Sequence, residues 1–73
     1  MSTMAVIGER VLVEGYGLAG AEVHVAEQPQ EILDAWRALP ALVAVVVLTK
    51  ASAAVLEPEW LSGGGERLVA VLP

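Results

Sequence analysis

The sequence predicts a small α/β domain. It should hold one parallel sheet of four strands in the order 2-1-3-4, with helices on both faces, as in three-layer Rossmann-like or flavodoxin-like domains. Three observations lead there. Apolar, strand-like runs recur at about 4–8, 22–26, 42–49 and 67–72. Segments of helical spacing separate them, so strands and helices alternate along the chain. The run Leu42-Val43-Ala44-Val45-Val46-Val47-Leu48 is apolar on both faces, as a central parallel strand covered from both sides requires. Right-handed crossovers then join the strands.

Each element has its own signal. Met4-Ala5-Val6-Ile7-Gly8 reads as a buried strand ending on glycine. Glu9 to Ala19 is the first crossover helix, weakened at Gly15 and Gly17 by roughly 1 kcal/mol each relative to alanine. Gly20 suits a left-handed cap before the second strand. Glu22-Val23-His24-Val25-Ala26 alternates, as an edge strand does. The second helix is the clearest element. Pro29 fits its first turn, Glu31 favours its positive end, and Pro40 stops it. Ile32, Leu33, Ala35, Trp36 and Leu39 share one face, and Trp36 reads as core. The third crossover, Lys50 to Arg67, begins as a short helix over Ala51–Leu56, is interrupted near Pro58, and loosens through Gly63-Gly64-Gly65.

Size and composition bound the function. Residues 1–73 make one domain, near the lower limit for a self-sufficient core. With no cysteine, disulfides cannot staple it, and a single histidine argues against a zinc cluster. Hydrophobic residues make up 56% of the chain, more than so small a domain can hide, which points to association. A net charge of -5 and four scattered basic residues argue against nucleic acid and anionic membranes. No run reaches the roughly 18 apolar residues of a membrane span, and Met1-Ser2-Thr3 lacks a basic secretory n-region. The expectation is a soluble, cytoplasmic protein.

The motifs that could carry chemistry do not assemble. Gly15-Tyr16-Gly17-Leu18-Ala19-Gly20 matches the dinucleotide fingerprint in letters, yet it falls at the far end of the crossover instead of directly after strand one. The turn that does follow strand one, Gly8-Glu9-Arg10, sets a carboxylate where a phosphate would sit. Glu27 after strand two is a lone candidate for a ribose-binding acid. The triple glycine lacks the Lys-Ser or Lys-Thr of a P-loop. His24 has neither cysteine nor a suitably placed serine beside it and reads as a packed or edge histidine. Glu9, Glu27, Glu31 and Asp34 read as solvated surface charge. A phospho-receiver would need an aspartate ending strand three, where Thr49 stands. The chain is therefore read as non-enzymatic, with no catalytic, metal or cofactor-binding residue and no cofactor.

Two stretches carry a resemblance. Gly15, Leu18, Ala19 and Gly20, with Tyr16 as the aromatic, are similar to the Gly-Phe-Arg-Leu-Ala-Gly signature of the F subunit of the vacuolar/archaeal-type (V/A-type) rotary ATPases. Met4-Ala5-Val6-Ile7-Gly8 looks like that family's opening strand, Val47-Leu48-Thr49 like the end of its third, and Leu68 to Pro73 like its last. The resemblance covers roughly residues 4–49 and, more loosely, 67–73. Gly17 departs from it, standing where the family has arginine. Family members continue past the last strand with a helical segment along the central stalk, so the likeness is to their N-terminal half. It implies a stalk or regulatory component that docks on rotary-ATPase stalk proteins, does no chemistry and inserts into no membrane. The residues expected at an interface are Tyr16, Leu18, Trp60 and Leu61, with Trp60 read first as core filling and second as an interface anchor. The alternatives are a freestanding homo-oligomer pairing through strand two or four, and a small-ligand sensor at the Gly8-Glu9-Arg10 turn.

Overall fold

The computed structural model describes residues 3–63 and 67–73, except for the side chains of residues 18, 19, 62 and 63. Four strands, β1 (Met4–Gly8), β2 (Glu22–Val25), β3 (Val45–Leu48) and β4 (Leu68–Val71), form one sheet in the order β2-β1-β3-β4. All three pairings are parallel. Three helices, α1 (Arg10–Val13), α2 (Pro29–Arg37) and α3 (Lys50–Gly63), make the crossovers. The predicted α/β class and strand order are those observed.

Strand alternation divides the core into two layers. On one face Ala5, Ile7, Val46 and Leu48 meet Ile32 and Trp36 of α2 and Leu56 of α3. On the other, Val6 meets Val13 of α1 and Ala21, with Met4, Tyr16, Val23 and Val47 partly buried around them. β1 is thus covered on both sides, and Ala5, Val6 and Ile7 are wholly buried.

Local chemistry explains the element boundaries. Helix α2 opens with a capping box, in which Gln28 and Glu31 satisfy each other's backbone amides, and Pro29 occupies its first turn. Arg67 closes the loop after it. Its Nε donates to the Val43 carbonyl at 3.0 Å, and its terminal nitrogen donates to Leu39 at 3.2 Å and Pro40 at 2.7 Å. The same guanidinium lies 5.7 Å from the Trp36 ring centre.

Three elements depart from expectation. The first crossover is helical only over Arg10–Val13 and continues as a 3-10 helix, Glu14–Ala19, closed by Gly20 at a φ of 88°. Gly15 and Gly17 weaken the α-helix as predicted, and the chain tightens into i→i+3 bonding. β3 begins at Val45, later than the apolar run does, because Arg67 holds the preceding carbonyls in a loop. The expected interruption near Pro58 does not occur: α3 runs through it to Gly63. Pro58 cannot return a hydrogen bond to Ala54, but both residues are exposed, so water can reach that carbonyl. Of the glycine connection, residues 64 and 65 lie outside the described residues.

Candidate functional site

In an open parallel sheet, ligands bind beyond the carboxyl ends of the strands where the order reverses. Here that point lies between β1 and β3, which end at Gly8 and Leu48. It is filled by the protein itself. The Thr49 hydroxyl donates to Glu9 Oε1 and is hydrogen-bonded to Ser52 Oγ at 3.1 Å. It also accepts from the Ser52 amide at 3.4 Å, which caps the start of α3. Thr49 and Ser52 are fully buried. Their polar groups are spent on one another and on Glu9, so this constellation tethers β3 and α3 to the turn after β1.

Beside it is an open concavity of about 410 Å³, lined by Arg10, Val25, Glu27, Gln28 and Glu31. Two of its polar groups already serve the fold. Glu31 accepts from the Glu27 and Gln28 amides, both at 3.1 Å, and these bonds hold its carboxyl below the usual glutamate range. Glu27 accepts from the Arg10 amide at 3.4 Å. His24 lies on edge strand β2 and pairs with Glu22 at 2.9 Å. Among the described residues, no group of three or more histidine, aspartate or glutamate side chains could hold a metal ion. No described helix is long and apolar enough to cross a membrane.

The apolar surface is the other prominent feature. Val11 is 86%, Leu61 73% and Leu68 70% exposed, and Leu12, Leu42 and Val71 are also largely open. α1 and the 3-10 segment pack over β1 and β2, leaving the same face of β4, with Leu68 and Ala70, exposed. Among the described residues, β4 is the outermost strand on its side of the sheet.

The four residues expected at an interface do not share one surface. Tyr16 is half-buried against the Val6 and Val13 layer. Trp60, on α3, is half-buried and packs against the opposite layer. Leu61, next to it, is exposed. The side chain of Leu18 lies outside the described residues. Sequence reasoning passes over Leu68, Ala70 and Val71 as surface residues. The available signal is a strand segment with neither charge nor proline between residues 68 and 72.

Comparison with protein-family models, with curated proteins and with solved structures finds no match.

Proposed function

We propose that the chain is a non-catalytic association domain, a stalk or regulatory component of a V/A-type rotary ATPase in the manner of that complex's F subunit. The observation that carries the association reading is that so small a domain leaves large apolar side chains exposed on both faces, Val11 and Leu68 on one and Leu61 on the other. The choice of partner rests on the sequence resemblance, whose Gly15 to Gly20 signature forms the 3-10 helix and its left-handed cap. Leu61, exposed beside the core-anchored Trp60, is the docking residue of this reading, and an apolar face of a coiled-coil stalk is its target. No cofactor is involved.

Titrating the purified chain against the coiled-coil stalk protein of the same cell tests this. A stable complex is expected with the wild type and is lost in Leu61→Asp. That variant should keep its fold, because Leu61 is exposed. No complex with the wild type overturns the stalk reading.

A freestanding self-associating module is the second reading, favoured by the uncharged open edge of β4. Thr49 and Glu9 occupying the crevice weighs against the ligand-sensor reading.

A further inference from the structure

Strand β4 and the residue after it read Leu68-Val69-Ala70-Val71-Leu72, the same in both directions. The amides of Leu68 and Leu72 donate inward across the sheet, to Ala44 at 2.9 Å and Leu48 at 2.8 Å. Backbone groups alternate sides along a strand, so the N–H and C=O groups of Val69 and Val71 point outward from the edge. From this parity and the palindrome we infer that β4 pairs antiparallel with β4 of a second copy. The twofold axis stands perpendicular to the sheet and passes beside Ala70.

Sequence and backbone agree on this register. Val69 of each copy faces Val71 of the other and exchanges both hydrogen bonds with it, which uses every outward-pointing group of the two valines. Ala70 faces its own counterpart at a non-hydrogen-bonded position, where strands bring Cα atoms to about 4.5 Å and a small side chain fits best. Leu68 faces Leu72, and like side chains meet on each face of the sheet. A shift by one residue would set inward-pointing groups against outward-pointing ones.

Charge selects the same partner. The five residues carry none, so pairing opposes no like charges despite the chain's net charge of -5. Pairing β4 with β2 of another copy would set Glu22 and His24 beside valine and leucine with no counter-charge. It would also be a head-to-tail contact, which makes a ring or an open filament instead of a closed pair. Exposed edges are ordinarily blunted by lysine, proline or a bulge, whereas β4 has no lysine or proline and no break in its register. The twofold joins two four-stranded sheets into one continuous sheet and keeps α2 and α3 of both copies on the same side.

The chain has no cysteine, so Ala70→Cys places a single thiol at the axis. The Cα separation expected there, about 4.5 Å, lies within the disulfide range. Under mild oxidation A70C is expected to form a covalent dimer at least about tenfold faster than Val71→Cys, whose thiol faces Val69 instead of its own copy. Ala70→Lys sets two ammonium groups face to face. Ala70 is exposed in the single chain, so the fold is kept by circular dichroism while the dimer weakens by about tenfold or more in sedimentation. A monomeric mass from micromolar to millimolar concentration overturns the inference. So does a dimer that A70K leaves unchanged and A70C does not link. The inference stands apart from the stalk partner, since A70K leaves Leu61 intact for the coiled-coil titration.

Discussion

Thr49 rests its side chain on the backbone of Gly8: a methyl group on Gly8 would stand 2.2 Å from Thr49 Cγ2 and 2.8 Å from its hydroxyl oxygen. Gly8 ends β1, and Thr49 directly follows β3. Their contact, locked by the Glu9 and Ser52 hydrogen bonds, closes the crevice that other parallel sheets leave open for ligands. The glycine at the end of the first strand is therefore a packing requirement.

Gly8→Ala should destabilise the domain by about 1–3 kcal/mol, measured by urea unfolding, because Thr49 is buried and cannot swing aside. Thr49→Ser in the same chain removes the nearest carbon and should restore part of that loss. Strictly additive losses in the double-mutant cycle contradict the contact.

Arg67 holds three carbonyls on the loop before β3 and lies over Trp36. Arg67→Met, which keeps the stem, should lose roughly 1.5–3 kcal/mol, the range for hydrogen bonds to a charged group. Arg67→Lys should recover little, since one ammonium cannot span the three acceptors as a planar guanidinium does. In a Trp60→Phe background, Trp36 fluorescence should shift in both variants. An unmoved spectrum and midpoint contradict the clamp.

Glu31 gives a pH dependence of defined sign. Backbone hydrogen bonds from Gln28 and Glu27 lower its folded-state pKa. The charged form is therefore favoured on folding, and its stabilisation is fully present above the ordinary glutamate value of about 4.5. It is lost as the pH falls through the lower folded value. Glu31→Gln should be less stable than wild type at neutral pH, and the two unfolding midpoints should converge in acid. A difference independent of pH would show that the cap acts without charge.

The parts of the fold set by local chemistry were legible in the sequence. Strand β1, helix α2 with its proline and Glu31, the left-handed Gly20 and the buried Trp36 all follow from neighbouring residues. What depends on distant partners was not. The late start of β3 is imposed by Arg67, far along the chain, and the Gly8–Thr49 contact exists only once β1 and β3 are paired. Helix α3 passing through Pro58 reflects packing by Ser52, Leu56 and Trp60, which outweighs one missing hydrogen bond. For the candidate surface, the palindrome was visible as letters. Its meaning required knowing that β4 is an edge and which of its amides point outward.

The most direct test of association with a rotary ATPase is to tag the protein in its own cell, crosslink gently and identify what is recovered by mass spectrometry. Stalk proteins of a V/A-type ATPase, recovered with the chain and lost in Leu61→Asp, are the predicted result. Recovery of the chain with itself and no stalk protein would contradict the stalk reading and leave a freestanding self-paired domain.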